Sequence, residues 1–544
     1  MLAKEKMQRR AFLPRPRRRI LSLAVAALLV FCIAQFYPPL DITLPLPARR
    51  PATKPGRLSW EEFRDGVAAR PGPGEATTYA RTPMDCGVDV ERLAAIRSRH
   101  NVGEDFDYVK RYVRFQRGGV AERKSVTETT QPFMPHPFLA INSSVGSHSR
   151  ECPAPLEVAI PDSGSPETVD ASDFLFGVST TLDRFLNPDT NPIQEWKFWL
   201  TDGKGSSNGG KLVVLLSSAS ADQVAELQEL LRRVGIDADV LAARSSEMAV
   251  RYLRIVPTLY SHPSRPGRKW LVTVDDDTFF PSMHALTAAL AEHDHTQPMY
   301  IGTLSEDMNN ILRHGSQAFG GAGVFLSAPA ARLVTEKFDS CASRWKIRQA
   351  DTGWGPQGDV LLRKCLYENS DVRLTTLPGL WQLDIRGDPA GFFESGVAPL
   401  SLHHYRGGMW FVARALQYAR AAYACGEACV LLRLRAADDF IVSGFSVAHY
   451  PRGIDFDLRQ VERTFSAMPK DFGGNMDYAM GPQRKGLHGT GRKVAWELQE
   501  AEIGADGSLV QVYVRHGDDK RFLYKGDNEG ANRDGIVEVV WIPA

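Results

Sequence analysis

A C-x-x-C cysteine pair and a Gly-x-x-x-x-Gly-Lys-Ser/Thr loop are both missing from this 544-residue chain. The first absence argues against a structural zinc site. The second removes the P-loop cradle for phosphates. An excess of charge is missing as well, since the formal net charge is +1. Even that surplus is local: Lys4, Lys6, Arg9, Arg10, Arg15, Arg17, Arg18 and Arg19 crowd the amino terminus against Glu5 alone. The rest of the chain is slightly acidic and carries no electrostatic footprint for nucleic acid. No internal repeat stands out. With 43% hydrophobic and 24% charged residues, the chain has enough apolar material for a sizeable core and two or three domains.

Charge is absent again from Ile20 to Tyr37, ILSLAVAALLVFCIAQFY, a run of 18 residues. That is just long enough to cross a bilayer as a helix. A cleaved signal peptide is the competing reading, but no clear small-x-small cleavage site stands before Pro38 and Pro39, so a retained anchor is preferred. The basic flank then leaves residues 1–19 in the cytosol and the body in the lumen or outside. Residues 38–74, dense in Pro and Arg, read as an extended stem. Residues 75–168 are mixed and of unclear role.

Cysteine is scarce, but its use suits that orientation. Cys32 falls in the apolar run, leaving Cys86, Cys152, Cys341, Cys365, Cys425 and Cys429 in a compartment that permits disulfides. Fifteen pairings are open. We prefer Cys341 with Cys365 and Cys425 with Cys429, which leaves Cys86 with Cys152. The sequon Asn142-Ser143-Ser144 is a candidate N-glycan site in a lumenal chain.

Strand and helix patterns alternate from Asp173 onward. Phe174 to Val178 and Leu212 to Ser217 read as buried strands, and Ala221 to Gly235 as a helix that Gly235 stops. Trp270 to Val274 is a third strand, followed by a helix from about Ser282 to His293 and the strand in MYIGTLS. This alternation predicts a doubly wound α/β sheet, whose ligands gather at the carboxyl ends of strands. Beyond residue 436, short alternating runs such as GFSVAHY, VAWELQEAEI, SLVQVYVRH and GIVEVVWI predict a separate antiparallel β module over 437–544.

The third strand ends in Asp275-Asp276-Asp277. Three adjacent carboxylates repel one another unless a cation offsets them, and hard divalent ions such as Mn2+ or Mg2+ favour oxygen ligands with diphosphate. Capping of the next helix is the plainer alternative, with Asp277 near the helix start. Gly320-Gly321-Ala322-Gly323 is a flexible turn that lets backbone approach a ligand. Asp359 opens a helix in GWGPQGDVLLRKCL, as a general base or as a cap. His403 and His404 offer imidazole, and in an extended chain only one of two neighbours reaches a given metal.

In that order, the strand with DDDTFF, GGAGVFLS, GDVLLRKCL and SLHHY resemble the Fringe-like and β1,3-glycosyltransferase superfamily. LWQLDIRGDPAGFFESG suggests its fungal and plant Fringe-related branch. The resemblance spans about Asp173 to Trp410 and implies a GT-A fold over residues 169–436, in a type II, Golgi membrane protein. It implies inverting transfer of a hexose or N-acetylhexosamine from a UDP-sugar to a glycan or glycoprotein, usually with Mn2+. The resemblance assigns the metal to Asp277 with His403 or His404, and sets Asp275 and Asp276 toward ribose and sugar. Gly320 to Gly323 becomes the donor-sugar loop, Asp359 the base, and Ser179, Thr180, Thr181 with Arg184 the nucleotide-binding turn. It also accounts for Cys341 and Cys365, which flank the base segment. Where the family has an acid before its base this chain has Gly358. That departure supports a second reading, a noncatalytic lumenal carbohydrate-binding protein on a GT-A scaffold.

Overall fold

The computed structural model describes residues 56–69, 72–75, 84–243, 245–467, 476–524 and 533–544. The expected cytosolic tail and membrane segment lie outside them. Among the described residues no helix is long and apolar enough to cross a membrane. Pro55–Ala544 is one compact unit. Part of the segment read as an extended stem is helical: Trp60–Ala69 is an α-helix whose Phe63 is buried against Phe185, ring centroids 6.1 Å apart.

Strands β1 (Phe106–Arg117), β2 (Thr127–Glu128), β3 (Leu139–Ile141) and β4 (Leu156–Ile160) come first. They precede a seven-stranded sheet made of β5 (Phe174–Thr181), β6 (Lys211–Ser217), β7 (Ala238–Ala242), β8 (Trp270–Val274), β9 (Tyr300–Gly302), β10 (Val324–Ser327) and β11 (Leu374–Thr376). Its order is β11-β9-β10-β8-β5-β6-β7. β5 to β8 are parallel to their neighbours among themselves, while β10 runs antiparallel to both β8 and β9. All residues of β8 are buried, as a central strand covered on both faces requires.

One face packs Leu175, Val213, Leu271 and Leu326 against helices Met248–Tyr260, Ala328–Cys341 and Gly358–Asn369. The other packs Phe176, Val214 and Val272 against Ile193–Leu200, Ala221–Arg233 and Met283–Ala291. The sheet is therefore doubly wound and mixed. Helix starts follow the local chemistry. Ser220 and Gln223 form a capping box, and the Ser282 hydroxyl accepts from Ala285 N at 3.3 Å. Ser282, not Asp277, caps the helix after the acids.

The main strands of 437–544 join a larger sheet instead of forming one of their own, while Val461–Arg463 and Gln483–Lys485 pair apart as a parallel two-stranded sheet. Phe440–Val442, Ser446–His449, Val494–Ile503, Leu509–Arg515 and Asp534–Pro543 pair antiparallel in succession. The last then lies parallel to β1, from Phe106 opposite Asp534 to Phe115 opposite Pro543. The result is a ten-stranded mixed sheet drawn from both ends of the chain. The expected separate antiparallel module fails because a parallel partner more than four hundred residues away leaves no local trace. One hydrophobic core, including Phe176, Val272, Trp496, Tyr513 and Trp541, spans both sheets. The disulfides are Cys86–Cys152, Cys341–Cys365 and Cys425–Cys429.

Candidate functional site

β8 ends at Val274 and delivers Asp275, Asp276 and Asp277 to the carboxyl edge of the sheet. Thr278 pins the turn that follows. Its hydroxyl accepts from Asp275 N at 3.0 Å and donates to the Gly321 carbonyl at 2.8 Å, tying the acids to the glycine-rich turn. Phe279 and Leu402 then exchange backbone hydrogen bonds of 2.9 and 2.8 Å. That bridge seats His403 beside the acids. His403 Nε2 lies 3.1 Å from Asp277 Oδ1 and 3.6 Å from Asp275 Oδ2. One ligand atom from each of the three falls within 4.8 Å of the others. Gly321 is required for this approach, because a Cβ there would meet the His403 ring at 2.2 Å.

The imidazole is buried, with Nδ1 held 3.3 Å from the Gln382 carbonyl, so Nε2 is the nitrogen turned to the carboxylates. Burial alone would lower its pKa, but the charge and hydrogen bond of Asp277 outweigh that and raise it to about 9. In turn, burial raises and the imidazolium lowers the Asp277 carboxyl, with a net shift well below the carboxylate range. Two oxygens and one imidazole nitrogen are a donor set that Mn2+ accepts. Neighbouring ligands of an octahedral ion held at about 2.1 Å lie about 3 Å apart, close to the Asp277–His403 separation. The residues present fit such an ion.

Asp276 is occupied otherwise. Arg184 Nε donates to its two oxygens at 3.1 and 3.0 Å, Arg184 Nη2 adds a further contact, and the Thr180 hydroxyl donates to it. Arg184 also reaches Asp277 at 3.8 Å. Ser179 to Thr181 end β5, whose Val178 pairs with Val274, so the polar turn runs alongside the acids. His404 turns away from the cluster. With φ of 55°, it sets Nδ1 3.1 Å from Asp384 and stacks on Trp410 at 3.7 Å.

Asp359 lies in the first turn of Gly358–Asn369. Burial lifts its carboxyl to about 6, against hydrogen bonds from backbone groups of Val360 and Gly320. Its charge reaches Asp275 and disfavours ionisation there, so residues 84 apart in the chain share one field. The glycine at 358 has a steric cause. A Cβ on Gly358 would meet Tyr252 Cβ at 2.4 Å, and one on Gly320 would meet the Tyr252 hydroxyl at 2.7 Å. The buried Tyr252 ring thus fills the space between the glycine turn and the helix that carries Asp359. Its hydroxyl is shared with Thr273 Oγ1 at 2.9 Å.

Four further residues of the site escaped the sequence reading. Arg406 Nη1 donates to the Thr190 carbonyl at 2.7 Å, and Nη2 lies 3.4 Å from Glu195. Burial works against its charge, and Glu195, Asp277 and Asp276 more than restore it. Its place three residues after His403 was the available signal. Gln382 and Asp384 stood inside LWQLDIRGDPAGFFESG with no role assigned, and hold the two imidazoles by a carbonyl and a carboxylate, while Tyr252 carried no signal because it acts by packing across the fold.

A family described as a protein of unknown function, DUF604, matches residues 309–408, a span that holds the glycine turn, Asp359 and both histidines. The chain is 26% identical over 332 residues to human β-1,3-N-acetylglucosaminyltransferase lunatic fringe, covering 57% of this chain and 68% of that protein. Among solved structures, it is similar to the mannosyltransferase PcManGT from Pyrobaculum calidifontis, in complex with GDP-Man and Mn2+, at 14% identity and TM-score 0.25. That match covers 40% of this chain and 58% of that one. The galactosyltransferase LgtC, with donor and acceptor sugar analogs, matches at 11% identity and TM-score 0.26, covering 40% and 77%. The chain is thus similar to DUF604 over residues 309–408 and to lunatic fringe over 332 residues.

Proposed function

We propose that the chain is a metal-dependent, inverting glycosyltransferase with a GT-A-like domain over residues 169–436. It moves a hexose or N-acetylhexosamine from a UDP-sugar to a hydroxyl of a glycan or glycoprotein. The observation that carries the reading is the gathering of Asp275, Asp277 and His403 at a strand end, in the field of Asp359. The likeness to lunatic fringe, whose name states a β-1,3-N-acetylglucosaminyltransferase, supports the class of reaction.

Asp277, His403 and Asp275 would hold Mn2+, or Mg2+, which supplies Lewis-acid stabilisation of a departing diphosphate. Arg184, fixed by Asp276, and Arg406, fixed by Glu195, bring positive charge to the same edge for that diphosphate. Ser179, Thr180 and Thr181 line the nucleotide end, and Gly320 to Gly323 let the donor sugar lie against backbone. Asp359 accepts the proton of the acceptor hydroxyl as that oxygen attacks the anomeric carbon. The bond from the anomeric carbon to the diphosphate oxygen breaks on the opposite side, and its electrons leave with UDP. A carboxylate whose pKa is raised to about 6 is still ionised at neutral pH and a better base than an unperturbed one. Residues 20–37 are assigned as a Golgi type II anchor with the catalytic body in the lumen.

The test is UDP release and product mass from the full chain in detergent, offered a panel of UDP-sugars with Mn2+ and free glycosides. Transfer from one donor, lost on chelation and restored by Mn2+, is the expected result. No turnover of any donor, with glycans still bound, would replace this reading with the noncatalytic carbohydrate-binding one.

A further inference from the structure

Trp354 stands on a loop built to hold it. Asp351 and Pro356 close the loop with a β-bridge, and Asp351 Oδ1 accepts from Gly353 N at 2.9 Å and Gly355 N at 3.1 Å. Gln357 Nε2 donates to the carbonyls of Trp354 and Gly355 at 3.3 and 3.0 Å. The glycines on either side of the tryptophan have φ of 98° and 85°, in the left-handed region where side chains are strained. The four hydrogen bonds made by the Asp351 and Gln357 side chains all use backbone at 353–355. The indole itself contributes nothing to the closure, yet 49% of Trp354 is left exposed.

Its neighbours are polar. The Arg313 guanidinium lies 4.4 Å over the ring, and the His314 ring is 5.4 Å away, tilted by 54°. His314 Nδ1 lies 2.8 Å from Thr352 Oγ1, which locks the imidazole to the same loop. Trp354 is five residues ahead of Asp359 on the segment that leads into its helix. Asp384 acts electrostatically on both His314 and Asp359, so the platform and the base lie in the field of the same buried carboxylate.

An exposed, pre-positioned indole flanked by hydrogen-bond donors suits a pyranose, whose C–H face stacks on an aromatic ring while its hydroxyls meet polar groups. We propose that Trp354, with Arg313 and His314, is the platform for the acceptor sugar, holding its ring so that one hydroxyl faces Asp359. This rests on the glycosyltransferase reading. The occupant is the acceptor, because the platform adjoins the base, whereas the residues assigned to the nucleotide and metal lie at the ends of β5 and β8.

The experiment compares wild type, Trp354→Ala and Trp354→Phe, using the donor found by the panel and p-nitrophenyl pyranosides of galactose, N-acetylgalactosamine and fucose as acceptor probes. Trp354→Ala is expected to raise the acceptor KM by about tenfold or more, with donor KM and acceptor-free donor hydrolysis within about twofold. Trp354→Phe keeps a ring and recovers most of the loss. An unchanged acceptor KM, or a loss that falls on donor KM or hydrolysis, overturns the proposal while leaving the transferase reading intact. A wild type that turns over no donor removes that reading and this one with it. Thermal melting checks the fold, and Trp354→Gln gives the same readout should the alanine variant unfold.

Discussion

Beneath the ten-stranded sheet, buried Lys493 sets Nζ 2.5 Å from Glu394 and 3.2 Å from Glu462, and Arg484 meets Glu462 at 2.8 Å. The Ser446 hydroxyl and Leu487 N donate to the same carboxylates, so each acid has partners inside the protein. At the end of β8, by contrast, Asp275, Asp276, Asp277 and Asp359 share one field with three cations, His403, Arg184 and Arg406. The first cluster is balanced by the chain's own cations, the second by fewer than its acids require. Removing one partner from a balanced buried cluster costs stability, whereas removing an acid from an under-compensated one costs ligand binding.

The largest effect expected from this contrast is at Asp277. Asp277→Ala should lower transfer by at least about 10³-fold and abolish stimulation by Mn2+. Without metal its unfolding free energy should fall by about 1–3 kcal/mol, since Asp277 and His403 stabilise each other's charge. Steady-state kinetics with metal titration and urea unfolding on one preparation give both numbers. A variant that keeps transfer and resists chelation would break the metal half of the comparison.

Lys493→Met reverses the pattern. With Glu394 and Glu462 left buried and short of a cation, unfolding free energy should fall by about 3–5 kcal/mol. Turnover per folded molecule should stay near wild type, since no part of the cluster adjoins β8. A stable Lys493→Met protein would show that the second sheet does not depend on its internal ion pairs.

These two clusters also mark what a sequence reveals. Asp275 to Asp277, Gly320 to Gly323 and Asp359 were legible because each is a local event, a strand end, a glycine turn or a helix start. The convergence of His403 was legible only as a residue type. Its selection over His404 follows from the Phe279–Leu402 bridge and from the positive φ that turns His404 to Asp384. Asp276 reads in sequence like its neighbours, and only Arg184 and Thr180 set it apart. The Lys493 cluster was invisible, as was the sheet above it, because each contact joins elements whose periodicity predicts strands but not partners.

Asp359 gives a smaller and pH-dependent test. Transfer should fall by about tenfold per pH unit below the carboxyl pKa of about 6, as the base is protonated. Asp359→Asn should be about 10²-fold slower at neutral pH, without that dependence. Stability provides a second readout with a definite sign. The folded pKa of about 6 lies above the ordinary 3.8, so between those values the native state binds more protons than the unfolded one. Wild type therefore loses stability as pH rises through that window, and the advantage of Asp359→Asn should grow there and level off above it. An advantage independent of pH would mean that burial does not raise this carboxyl.

The smallest expected effect separates the steric account of Gly358 from a loss of function. If Tyr252 excludes a side chain there, Gly358→Glu forces a Cβ to within 2.4 Å of Tyr252 Cβ and should cost about 1–3 kcal/mol by overpacking. Tyr252→Gly opens the space, so the double variant should recover part of that cost, with a coupling of about 0.5–3 kcal/mol between the two sites. Additive costs in a double-mutant cycle would sever the two positions. A coupled pair, with transfer intact in wild type, makes the glycine a packing solution: the chain fills with a buried tyrosine, supported by Thr273, the volume a side chain at 358 would need.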